Sequence, residues 1–232
     1  MSSAAGAVAA AARAGGAQRT RGRRRWRETA VHSAGKLPTT PSPICASMIS
    51  DAIDTSCVAV ITGGASGFGF ETATRLLNAG MSCAILDVSE AELAAASKKM
   101  KDLAPGVSVL AQRCNVAVAD DCVAAAAAVE AAFPDKKISF LFNNAGIQGP
   151  SSAGGIIADP SPGTISAWQT VFNVNVFGAV NILKAFVPGM IGAGALASGK
   201  SALVVTTSSV VCRPWTIPQY PYVAPNWAQY NM

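Results

Sequence analysis

The feature that most narrows the folds open to this chain is a glycine-rich turn placed directly after a short apolar run. Val58-Ala59-Val60-Ile61 reads as a strand, Thr62-Gly63-Gly64-Ala65-Ser66-Gly67-Phe68-Gly69 as the turn, and about Gly69 to Asn78 as a helix closed by Gly80. The glycines have separate jobs: one permits the tight turn, one lets backbone approach a pyrophosphate, and a third allows close helix–sheet packing. The helix start offers unpaired N–H groups and the positive end of its dipole to phosphate oxygens. A plain glycine turn is the simpler alternative, but strand–turn–helix is the context that dinucleotide binding requires.

The pattern then repeats. Ser82 to Leu86 is a second strand ending at Asp87, and Ser89, with Glu92 as its capping-box partner, opens a helix that runs to about Leu103 and stops at Pro105-Gly106. Val107–Arg113 and Ile138–Phe142 read as strands flanking a helix over Ala117–Phe133. A Gly/Ser/Pro loop to about Pro162 leads to a long helix from about Ser166 to Met190, with a bend expected near Pro188, and then to a fifth strand over Ala202–Thr206. Strands alternating with helices imply an α/β fold: parallel β-α-β units wound into a doubly wound parallel sheet with helices on both faces. Ligands of such sheets bind at the carboxyl ends of the strands. Asp87 stands at one such end, 18 residues after Gly69. A carboxylate there accepts hydrogen bonds from both ribose hydroxyls of NAD and repels the 2′-phosphate of NADP. No Arg or Lys lies in the glycine turn or just after Asp87, so NAD is expected over NADP, with a solvated strand-end acid as the alternative.

At this point the motifs resemble those of the short-chain dehydrogenase/reductase family. Thr62–Gly69 resembles its cofactor motif Thr-Gly-x-x-x-Gly-x-Gly, and Asn143-Asn144-Ala145-Gly146 its Asn-Asn-Ala-Gly motif. Asn175-Val176-Phe177-Gly178 resembles the helix motif carrying a catalytic Asn, and Thr207-Ser208-Ser209-Val210 the segment carrying the catalytic Ser. The resemblance covers about residues 55–224 and implies a Rossmann-like fold over 48–224. It assigns cofactor contacts to Thr62, Gly63, Ser66, Gly67, Phe68, Gly69, Asp87, Asn115, Val116, Asn143, Ala145 and Gly146. Asn115-Val116 stands where the family usually has Asp-Val against the adenine, a mild departure.

The resemblance also implies a chemistry: hydride transfer between NAD(H) and a small-molecule alcohol or carbonyl. A Tyr acts as general acid/base, a Lys four residues later lowers the Tyr pKa, a Ser polarises the substrate oxygen, and an Asn anchors a water-linked proton relay. Ser209, Tyr222 and Asn175 are the matching positions, and Tyr222 lies 13 residues after Ser209 as the family spacing asks. The position four beyond Tyr222 is Asn226, and no Lys follows Lys200. A free phenol with a pKa of about 10 needs a nearby cation to act as a base at neutral pH. Impaired turnover is therefore expected, with a non-catalytic dinucleotide-binding module or a non-functional truncated product as alternatives. Residues 225–232 read as a divergent tail, and the family's last strands and substrate segment are expected to be missing. Substrate identity is not legible.

Charge and cysteine usage bound the rest. Residues 1–47 hold seven Arg and one Lys against Glu28 alone, whereas 48–232 hold ten basic and twelve acidic residues. The body thus lacks the basic face of a nucleic-acid reader. The basic leader has the composition of a transit peptide; a disordered tail, or a true start at Met48, is the alternative. Six scattered cysteines without a C-x-x-C pair, and a lone His32, exclude a zinc site and suit reduced structural thiols. A cytoplasmic location is expected, or a mitochondrial or plastid one if the leader is cleaved. The apolar stretch Val171–Leu196 contains Asn173, Asn175, Asn181, Lys184 and Pro188, and is expected to be a buried helix and not a membrane span. A homo-oligomer is an open expectation.

Overall fold

The computed structural model describes residues 52–149, 162–192, 194–196, 199–209, 224–226 and 228–229. The basic leader, most of the loop before Pro162, Cys45, Cys212 and Tyr222 lie outside them. Among the described residues, β1 (Cys57–Thr62), β2 (Ser82–Asp87), β3 (Val109–Arg113), β4 (Lys137–Asn143) and β5 (Leu203–Thr206) form one parallel sheet in the order β3-β2-β1-β4-β5. Between them run α1 (Gly67–Asn78), α2 (Glu90–Leu103), α3 (Ala119–Ala132) and a long helix made of α4 (Pro162–Phe172), a π-helical turn (Asn173–Gly178) and α5 (Ala179–Ile191). This is the doubly wound α/β fold that the alternation of strands and helices implies. The strand order reverses between β1 and β4, and a crevice opens where their carboxyl ends part.

The two-residue period of β1 decides which helices cover which face. Cys57, Ala59 and Ile61, with Cys83 and Ile85 of β2, meet Ala73, Leu76 and Leu77 of α1 and Leu93, Ala96 and Met100 of α2. Val58 and Val60, with Ala84 and Leu86, face the other way, onto Cys122, Ala125 and Val129 of α3 and Ile182, Phe186 and Met190 of α5. Each large apolar side chain buried here contributes about 1.5–3 kcal/mol, so the central strand, buried at all six positions, is where the stability is concentrated. Helix α1 ends as its glycine foretells: Gly80 takes φ +85°, Gly80 N–H donates to Leu77 O (2.8 Å) and Met81 N–H to Leu76 O (3.0 Å).

Several local expectations change. Helix α3 starts at Ala119, not Ala117, because Asn115 holds the chain in a turn: its Oδ1 accepts from Ala117 N–H (3.1 Å) and its main-chain O from Val118 N–H (2.9 Å). Only half of the capping box forms. Ser89 Oγ accepts from Glu92 N–H (3.3 Å), but Ser89 N–H donates to Asp87 Oδ1 (3.3 Å) instead of to the Glu92 side chain. The long helix begins at Pro162, a residue suited to a first helical turn, and runs through Pro188 to Ile191. Its irregularity is the π-helical turn, where Gly178 lies so close to Val116 that an added Cβ would sit 2.7 Å from Val116 Cγ2. By length and composition Ile165–Ile191 is apolar enough to cross a membrane, with mean hydropathy 1.5; in this fold it lies along the sheet with Ile182, Phe186 and Met190 in the core.

At the amino ends of the strands Lys200 Nζ donates to Asp54 Oδ2 (2.7 Å) and to Ser56 Oγ. The Lys200 hydrogen bond holds the Asp54 carboxyl well below the usual carboxylate range. The last lysine of the chain is thus committed at the end of the sheet opposite the crevice. The described cysteines Cys57, Cys83, Cys114 and Cys122 are all buried and unbridged, and burial pushes the Cys83 thiol up to about 12. These four are expected to resist iodoacetamide at pH 8 in the folded chain and to react on denaturation; mass spectrometry of the native adduct showing any of them labelled at the rate of a free thiol would contradict this packing.

Candidate functional site

The crevice is built around the Thr62 hydroxyl, which is fully buried where β1 ends. Thr62 Oγ1 accepts from Asn144 N–H (2.8 Å) and Ala145 N–H (2.9 Å), so the turn after β4 hangs on the last residue of β1. The Asn144 side chain completes the junction. Its Nδ2 donates to Thr62 O (3.1 Å), and its Oδ1 accepts from Thr207 Oγ1 (2.9 Å) beyond β5. Asn144 is thus a hub that the motif contained but that no individual role had singled out.

The glycine turn forms one wall. Gly63 takes φ +62° and Gly67 φ +52°, left-handed conformations that favour glycine. Gly69 is a close-approach position, where an added Cβ would lie 2.1 Å from Gly63 O. Ser66 is the N-cap of α1 and makes no side-chain cap bond, and Phe68 at the helix start is 79% exposed. Gly63, Ser66, Gly67 and Phe68 line the crevice; Thr62 and Gly69 lie behind them as support.

Asp87 closes the far end. Its Oδ1 accepts from Val88 N–H (2.8 Å) and Ser89 N–H (3.3 Å), and its Oδ2 from Ala65 N–H (3.3 Å) in the glycine turn. The carboxylate is therefore fixed in place, and Oδ2, with a single partner, keeps acceptor capacity for a further one. One cation near it is invisible to linear spacing: Arg113 is the register partner of Asp87 across β2–β3, and ion-pairs with Asp121 (3.2 Å) and more distantly with Glu90 (3.9 Å). Cys114, Asn115 and Val116 form the second wall. The hydrogen bond to Cys122, and then burial, push the Cys114 thiol up, so it is no thiolate nucleophile.

The third wall follows β4. Ala145, Gly146, Ile147 and Gln148 line the crevice. Asn143 does not: it is buried, with Nδ2 donating to Ala179 O (3.0 Å), and ties β4 to α5 beneath the site. Asn175, only 2% exposed, grips this wall through its whole amide. Its Oδ1 accepts from Ile147 N–H (2.8 Å) and its Nδ2 donates to Ile147 O (2.9 Å). Ser208 and Ser209 complete the lining after β5, with Ser208 Oγ donating to Asn226 O (3.0 Å). Asn226 and Gln229, from the segment read as a divergent tail, also line the crevice; Gln229 Nε2 donates to Asn175 O (2.5 Å). Tyr222 lies outside the described residues.

The crevice encloses about 660 Å³, within the range of ligand sites. The residues fit a dinucleotide: an open glycine turn at a helix N-terminus for phosphates, an anchored carboxylate at a strand end for a ribose, and a wall of Cys114, Asn115 and Val116 for an aromatic base. Such a sheet with such a crevice is the architecture of the doubly wound dinucleotide-binding folds. The sequence model described as short chain dehydrogenase matches residues 57–230, and the chain belongs to that family. A 2-(R)-hydroxypropyl-CoM dehydrogenase from Xanthobacter autotrophicus is 36% identical over 159 residues, 68% of this chain and 60% of that protein. A short chain dehydrogenase/reductase from Burkholderia phymatum, solved in complex with NAD, is 33% identical, with a TM-score of 0.63 over 76% of this chain and 57% of that one. An NADPH-bound short chain oxidoreductase from Pseudomonas aeruginosa PAO1 that contains an atypical catalytic center is 28% identical, with a TM-score of 0.66 over 76% of this chain and 63% of that one. The chain thus spans roughly three-fifths of the length of these relatives.

Proposed function

We propose that this chain binds NAD(H) in preference to NADP(H) in the crevice and that its turnover on alcohols or carbonyls is weak. The observation that carries the preference is the Asp87 carboxylate, held by three backbone N–H groups at the end of β2. A fixed negative charge at that place suits ribose hydroxyls and opposes a phosphate ester. Arg113 does not offset it, because Asp121 and Glu90 already neutralise its guanidinium. When bound, the nicotinamide cofactor supplies or accepts the hydride. Asn175 fixes the Ile147 wall, Ser209 lines the pocket where a substrate oxygen would be polarised, and Tyr222 is the proposed proton-transfer residue.

The weak-turnover part rests on Asn226. It stands four residues after Tyr222, is neutral, and has its main-chain O engaged by Ser208. Without a cation beside it, a phenol stays protonated at neutral pH, and the lost acid–base assistance lowers turnover by about 10²–10⁴-fold. Calorimetric titration of the full chain with NADH and with NADPH tests the reading. Saturable binding that favours NADH supports it, and equal or reversed affinities overturn the preference. Asp87→Asn is expected to narrow the NADH preference by about tenfold or more. An unchanged ratio in that variant would remove Asp87 from the argument.

A further inference from the structure

The contact between Gln229 and the π-helical turn points to a role for a residue that none of the motifs includes. Asn175 lies inside the π-helical turn Asn173–Gly178. In a regular α-helix its main-chain O would accept from Ala179 N–H, but that group donates to Val176 O instead. Gln229 Nε2 donates to Asn175 O from a side chain only 9% exposed. The side chain of the same Asn175 holds both the N–H and the O of Ile147, a residue of the crevice wall. Three groups therefore stand in series: the Gln229 amide, the Asn175 peptide and side chain, and the Ile147 backbone.

We infer that Gln229 is a positioning residue for the dinucleotide crevice, setting the Ile147 wall through Asn175. The inference rests on the dinucleotide reading above for its binding consequence. The physical requirement is a hydrogen-bond donor. A buried main-chain carbonyl left without one carries its full desolvation cost, and the turn relieves that cost by rotating, which drags the Asn175 side chain and Ile147 with it. An apolar side chain of the same length fills the space but removes this donor from Asn175 O. A lysine at 229 reaches as far and still donates.

The test uses the full chain with Gln229→Met and Gln229→Lys, reading NADH affinity by calorimetry and hydrogen exchange of the Ile147 amide. Gln229→Met is expected to bind NADH about tenfold more weakly and to exchange the Ile147 amide about tenfold faster. Gln229→Lys is expected to stay within about threefold of the parent on both readouts. A purely space-filling role predicts the reverse order, with Met harmless and Lys harmful, and that order overturns the inference, as does a Met variant that matches the parent in both. If Gln229→Met does not fold, the lysine variant decides, because a Lys variant that loosens Ile147 contradicts the need for a donor alone. If the parent binds no NADH, the dinucleotide reading fails, while the exchange of Ile147 still supports or overturns the coupling.

Discussion

Gly69→Ala is expected to abolish measurable NADH binding while leaving a folded but less stable chain. The added Cβ would lie 2.1 Å from Gly63 O, 2.8 Å from Gly63 C and 2.9 Å from Asn144 Nδ2. Two of these are backbone atoms of the turn itself, so no side-chain rotation relieves the overlap. The start of α1 must move off the glycine turn by about an ångström, and overpacking of this kind costs about 1–3 kcal/mol. The same shift moves the N–H groups of the first helical turn away from the place where phosphates sit, and charge-assisted contacts weaken steeply with distance. A loss of at least about a hundredfold in NADH affinity by calorimetry is the expected result. An affinity within threefold of the parent would mean that the turn does not hold the phosphates.

Thr62→Val is the change expected to cost the most stability for the fewest atoms. Valine keeps the shape and removes one buried oxygen that serves two main-chain N–H groups, those of Asn144 and Ala145. Both donors are partly buried just past the end of β4 and face a fully buried acceptor. Stranding a buried donor costs about 1–3 kcal/mol, so the pair costs about 3 kcal/mol after partial relaxation. For a domain of this size that corresponds to a fall of about 10 °C in Tm, measured by circular dichroism. Thr62→Ser restores the oxygen and is expected to recover most of the loss. A valine variant that melts with the parent would show that water or another acceptor serves these amides.

The alternation of strands and helices was legible because it rests on local periodicity, and so was the placement of the cofactor motifs at strand ends. Asp87 was legible for the same reason: its distance from the glycine turn is a distance along the chain. What the chain order hides is whatever arrives through the sheet. Arg113 stands beside Asp87 by parallel register, 26 residues away in sequence, and no linear rule places it there. Asn143 and Asn144 are adjacent and chemically identical, yet the strand's two-residue period turns one toward α5 and the other toward Thr62. The π-helical turn had no signal of its own, since Asn173–Gly178 carries the helical periodicity of its neighbours. Gln229 was passed over because its partner is a main-chain oxygen, which no residue type announces.

The junction of Thr62, Asn144 and Thr207 also has a consequence in time. Its hydrogen bonds join residues 82 and 63 positions apart, across the ends of β1, β4 and β5. Contacts of such long sequence separation are closed only after the intervening chain has been ordered, because loop-closure entropy must be met first. During synthesis, therefore, no nascent segment that ends before Thr207 carries the crevice, however well its first β-α-β unit has formed. A nucleotide that binds here adds its free energy to the completed sheet and to nothing earlier. A nucleotide held there would therefore stabilise only those chains in which the ends of β1, β4 and β5 have met.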